Sequence, residues 1–149
     1  MESDRLKAFE TGLVGQSLSV TRREFDWCFD LIGGWSIALS VPWRIVADGR
    51  IAFAAADDGR QFGLPAPIDG EAEFRRLLNG KPIVAATVDR QTADLKLVFD
   101  SNAELGAFNN SIGYEGWQAQ FMCDGKSTTL VALGGGGVDF YGEDGGFPL

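Results

Sequence analysis

The sequence predicts an α+β domain dominated by antiparallel sheet: two related β-meanders packed as a sandwich or partly open barrel, each preceded by a short helix. Three observations carry that expectation. Runs of alternating apolar and polar residues recur along the chain, separated by turn-forming pairs such as Gly33-Gly34, Asp48-Gly49 and Asp124-Gly125. Two short stretches have helical spacing instead, and each is followed by a glycine stop at Gly15 or Gly80. Finally, a hydrophobic fraction of 45% with 11 Phe and 4 Trp among 149 residues supplies a packed core, where a disordered chain would be poor in those types.

Taken in order, the first helix has Ser3 as its cap and Leu6, Phe9 and Leu13 on one face before Gly12 and Gly15 stop it. A strand over 16–22 follows. The next, over 24–32, alternates strictly, with Phe25, Trp27, Phe29 and Leu31 on one face and Cys28 among Glu24, Asp26 and Asp30 on the other. Gly33-Gly34 turns the chain into a strand over 35–41, Pro42 breaks it, and 43–47 and 50–56 form a hairpin about Asp48-Gly49. Asp57-Asp58-Gly59-Arg60 and the Gly/Pro-rich run to Pro67 make a surface connection. Asp69 caps a helix over 71–78 whose stripe is Phe74, Leu77 and Leu78. The second meander reads as strands over 83–88, 95–99, 103–108, 117–123 and 128–133, and the run 134–137 with the tail beyond it reads as flexible, losing order after about Tyr141.

The two halves read as one pattern written twice. Phe9, Leu13, Gly15 and Leu18 answer to Phe74, Leu78, Gly80 and Ile83; the segment 25–30 answers to 95–100; Ile37 and Leu39 answer to Leu105 and Ala107. The expected organisation is therefore a single domain over 1–149, with repeats at about 9–47 and 74–123, a connection over 48–73 and a flexible tail at about 142–149.

Composition narrows the function classes. Thirteen basic residues against twenty-one acidic ones give a formal charge of −8, the wrong sign for a nucleic-acid backbone or an anionic membrane surface and the right one for a basic protein partner. There is no basic start followed by an apolar run and no long apolar segment, so the expected location is cytoplasmic. Cys28 and Cys123 are not an expected pair; Cys123 is in phase with the apolar face of its strand.

Chemistry is scarce. The absence of histidine removes the commonest general base and most transition-metal sites. The 134–137 glycines lack the Lys-Ser/Thr of a phosphate loop, and the Asp57-Asp58-Gly59 and Glu143-Asp144-Gly145 clusters lack the spacing of a calcium loop. No cofactor, metal or catalytic residue is expected, and the chain leans away from being an enzyme. The candidate binding residues are two aromatic corners at corresponding places, Trp43-Arg44 and Tyr114-Glu115-Gly116-Trp117, where Arg44 and Glu115 could pair and Trp43, Tyr114 and Trp117 could wall a cleft. The candidate partner contacts are the outward acids Asp26, Asp30, Asp57 and Asp58.

The helix-Gly-strand start at 9–18, Pro42-Trp43-Arg44-Ile45, Leu95-Lys96-Leu97-Val98-Phe99, Tyr114-Glu115-Gly116-Trp117 and the late glycine run together resemble a family of small uncharacterised bacterial proteins. Some of these are similar to immunity partners of secreted bacterial toxins, and the resemblance implies a compact acidic protein that covers a basic site. The leading expectation is thus a non-enzymatic protein-binding module, of the immunity-inhibitor kind. The alternatives are a small-molecule binder or enzyme with a pocket between the repeats, and a homodimeric structural protein paired through a strand edge.

Overall fold

The computed structural model describes residues 2–142. The fold is mainly antiparallel β, in two sheets that pack as a sandwich with two helices and do not close into a barrel. Helix α1 is Glu2–Leu13, and the strands after it are β1 (Leu18–Arg22), β2 (Trp27–Leu31), β3 (Ser36–Leu39), β4 (Trp43–Ala47) and β5 (Arg50–Ala54). A 3-10 turn, Ala55–Asp57, leads to helix α2 (Gly70–Leu78). The second half comprises β6 (Ile83–Val88), β7 (Leu95–Phe99), β8 (Ala103–Ala107), β9 (Trp117–Cys123), β10 (Lys126–Ala132) and β11 (Val138–Gly142).

The chain crosses between sheets once in each half. One sheet has the order β1-β2-β3-β9-β10-β11 and the other β5-β4-β8-β7-β6. Three consecutive strands stay together, and the fourth and fifth then join the opposite meander: β3 pairs with β9 and β4 with β8, both antiparallel. Pro42 sits at the first crossing, where its missing N–H ends β3's ladder and starts β4 in the other sheet. The corresponding places are reached at corresponding registers, since Trp43 opposes Ala107 at the end of β8 and Trp117 opposes Leu39 at the end of β3.

One hydrophobic cluster joins both sheets and both helices. Each helix supplies a buried phenylalanine: Phe9 lies against Trp35, Trp117 and Phe121, and Phe74 against Phe29. Each also holds the end of an edge strand. The buried Glu10 of α1 accepts from the Val88 N–H at the last residue of β6 (2.7 Å) and pairs with Arg90 through both oxygens (2.6 and 2.9 Å). Glu71 of α2 accepts from the Arg22 N–H at the last residue of β1 (3.0 Å) and pairs with the Arg22 side chain (3.3 Å).

Four expectations are corrected. Helix α1 begins at Glu2 and runs through Gly12, so Ser3 is inside it and is not its cap. The second strand starts at Trp27, not at residue 24, because Arg23 and Asp26 close a tight turn that carries Phe25 out of the core. Consequently Trp27, not Phe25, answers to Leu95: both pair with the last residue of the next strand, Leu39 or Ala107. A two-residue offset leaves apolar alternation unchanged, so the sequence pattern is blind to it.

The fourth correction concerns the glycine run. It is packed, not loose, and delivers β11 to the edge of the six-stranded sheet. A Cβ at Gly134 would clash with the Gly113 backbone, Gly136 at φ 109 has the Gln91 carbonyl against it, and Gly137 donates to Gln91 (2.9 Å). Glycine is needed there for close backbone approach. Of the predicted tail, 143–149 lie outside the described residues, with the Glu143-Asp144-Gly145 cluster among them.

Candidate functional site

The aromatic corners occupy corresponding positions but form no common cleft. Trp43 and Trp117 are each 2% exposed and sit in separate aromatic groups. Trp43 is ringed edge-on by Trp27, Phe29 and Phe53, its buried Nε1 without a partner among the described residues, whereas Trp117 Nε1 donates to the Ala93 carbonyl at 2.8 Å. Tyr114 is 83% exposed on the long β8–β9 connection; Arg44 and Glu115 are exposed and do not pair with each other. Only Glu115 and Trp117 share a hollow, of about 110 Å³ with Ser40 and Gln118. This space is too small for a typical ligand pocket.

The four candidate acids divide by role. Asp26 is held by Arg23 in a bidentate pair, 2.6 Å on each oxygen. Asp58 pairs with Arg22 at 2.7 Å and accepts from the Gly70 N–H at 2.8 Å, so it satisfies the start of α2 together with Asp69, which accepts from Glu71 and Ala72. Asp30 and Asp57 have no ion pair among the described residues. Asp57 lines one large hollow, and Asp26 and Asp58 line another.

Two hollows flank the 3-10 turn. The first, about 550 Å³, runs from the β1–β2 turn to Pro42; Trp27, Leu39, Val41, Pro42, Ala55 and Ala56 give it an apolar floor. Phe25 stands on its rim, 86% exposed, on a four-residue turn fixed by the Arg23–Asp26 pair and by the Arg23 N–H donating to the Asp26 carbonyl at 2.8 Å. The matching turn between β6 and β7 is polar: Asp89 accepts from Gln91 and Thr92 at 2.8 and 2.9 Å, which holds its carboxyl below the ordinary range. A phenylalanine is therefore not something this connection requires.

The second hollow is a trough of about 600 Å³ between β5, the loop 64–68 and the first turn of α2. Phe53, Leu64, Pro65, Pro67 and Ile68 make it apolar, and its charged lining is acidic throughout: Asp57, Asp69 and Glu73. The loop is braced by Gly59 donating to Ile68 and Ile68 to Arg60, each at 2.7 Å, so the trough has a fixed wall. Of the three lining acids, Asp69 lies 3.6 Å from an Arg22 nitrogen and Glu73 2.7 Å from Arg76, while Asp57 makes no ion pair among the described residues.

Neither hollow is lined by a histidine or a cysteine. Among the described residues no cluster of three metal-ligating side chains occurs. Cys28 is a poor nucleophile, because burial and then the neighbouring Asp30 push its thiol upward. Both cysteines are free, and among the described residues no helix is long and apolar enough to cross a membrane. In comparisons with family models, curated proteins and solved structures, none matches the chain.

The sequence pointed at Asp57 and Asp58 but not at what surrounds them. The signal that could have found the hollows is the exposed apolar content of the two connections, Phe25 in one and Phe62-Gly63-Leu64-Pro65 in the other, read as display instead of strand and spacer.

Proposed function

We propose that this chain is a non-enzymatic protein-binding module for a basic partner, with an immunity-type inhibitor of a bacterial toxin as the role that best joins its acidic charge to its surface. The observation that carries the reading is Phe25. A large apolar side chain held outward on a doubly fastened turn, beside an apolar groove, has the form of a binding anchor: its ordering cost is met before association. The surplus acid around the adjoining trough would steer a basic protein toward the same side of the molecule. In this role the protein acts in the cytoplasm with both thiols reduced.

The test is affinity capture from the native host with the wild-type chain and with Phe25→Ser side by side, followed by binding measurements on the captured protein. A basic protein that binds the wild type and loses more than about tenfold in affinity for the variant supports the reading. Capture of nothing, or equal binding by both chains, would sink it.

A further inference from the structure

The two sheets correspond strand for strand except at one place. β1-β2-β3-β9-β10 answers to β6-β7-β8-β4-β5; the first series then continues with β11, and the second ends at β5. β11 pairs with β10 from Thr128 to Ala132, its central Phe140 packed on Phe121 and Arg5 of α1 reaching over the ring. β5 has no such sixth strand beside it among the described residues, and through Ala52 and Phe53 it lines the 600 Å³ trough.

We infer that this trough is the docking site for an extended basic segment of a partner protein, which adds to the edge of β5 as β11 adds to β10 and sets an arginine or lysine side chain among Asp57, Asp69 and Glu73. The inference rests on the protein-binding reading above and names the chemistry of the partner.

Three observations support it. The first is an available edge. The outer ends of β1 and β6 are closed by Glu71 and Glu10, whereas among the described residues the backbone of β5 is hydrogen-bonded to β4 alone. An edge of that kind is a template for another strand. The second is apolar room: Phe53, Leu64 and Ile68 line a space that can take one central side chain, as Phe140 is taken in the other sheet.

The third is charge. β11 carries Asp139 and lies beneath the basic Arg5, while the trough presents three carboxylates and no basic lining residue. The partial positive charge at the start of α2 opposes a cation, but it amounts to about half a unit, less than the full charge of Asp57, which makes no ion pair among the described residues. The occupant should therefore be β11-like in shape and opposite to it in charge.

The test uses a blocked peptide with the β11 order Val-Asp-Phe-Tyr-Gly, a second with arginine in place of the aspartate, and a third with neutral citrulline there. Each is titrated into isotope-labelled full-length protein. The arginine peptide is expected to bind at least about fivefold more tightly than either other peptide, with amide shifts confined to β5, the 3-10 turn and the first turn of α2. Asp57→Asn combined with Glu73→Gln should remove that preference. Equal binding of the three peptides, or shifts spread over the other acidic surfaces, overturns the inference. So does concentration-dependent protection of β5 without peptide, since a second copy would then be the occupant. A captured partner that needs Phe25 but ignores the double variant removes this site and leaves the protein-binding reading standing; arginine-peptide binding with no native partner does the reverse.

Discussion

Trp43 and Trp117 offer an internal control on hydrogen bonding. Both begin the fourth strand of their half, both are 2% exposed, and both pack on phenylalanines, so Trp→Phe removes a similar area and leaves a similar void at each. The polar atom differs. At Trp117 the substitution deletes a 2.8 Å bond and strands the Ala93 carbonyl; at Trp43 it deletes a buried N–H that has no partner among the described residues. Stranding one partner of a buried bond costs about 1–3 kcal/mol. Removing the Trp43 donor recovers a penalty of the same order, about 1–3 kcal/mol. Trp117→Phe should therefore destabilise by about 2–6 kcal/mol more than Trp43→Phe. Urea denaturation followed by far-ultraviolet circular dichroism measures the difference without relying on the altered indoles. Equal losses, or a larger loss at Trp43, would refute the reasoning.

Other consequences follow from the same contacts. Burial works to raise the Glu10 carboxyl, but the bonds from Arg90 and the Val88 N–H, aided by Lys7, outweigh it and hold the group below its ordinary 4.5. A depressed carboxyl contributes stability above its unfolded value that is lost as pH falls through the folded one. Glu10→Gln should thus cost about 1–3 kcal/mol at pH 7 and flatten the acid limb of the stability profile below 4.5; an unchanged limb would count against the clamp. Glu71→Gln should cost less, about 0.5–1 kcal/mol, because Glu71 is more exposed than Glu10 and Arg22 keeps Asp58 and Asp69. Gly134→Ala or Gly136→Ala should destabilise by about 2–4 kcal/mol if the run is packed, and thermal melts that match the wild type would show that it is loose. Phe25→Ser should leave stability within about 0.5 kcal/mol of wild type, separating its role in binding from any role in folding.

The strands up to β10, both helices and the Asp48-Gly49 and Asp124-Gly125 turns were legible because alternation, capping and positive-φ turn residues are local signals. What was not legible is long-range. Nothing in the alternation of 36–47 says that β3 and β4 belong to different sheets, since a strand's pattern records which face is buried and not which neighbour it has. The apolar period of β2 runs on into Phe25, and only the Arg23–Asp26 pair ends it. Glycines that permit close packing look like glycines that permit motion, which is why β11 was missed. At the candidate site, Asp57 was visible as one of the outward acids, but the trough exists only because β5, the loop 64–68 and α2 meet there.

Binding of a basic protein is expected on the side of the molecule around the 3-10 turn. Hydrogen exchange of the chain, free and saturated with its captured partner, tests it most directly. Slowed exchange confined to the β1–β2 turn, β5, the 3-10 turn and the first turn of α2 is the predicted result. Protection centred on the outer face of the six-stranded sheet, around Gln118 and Gln120, with those segments unchanged, would contradict it.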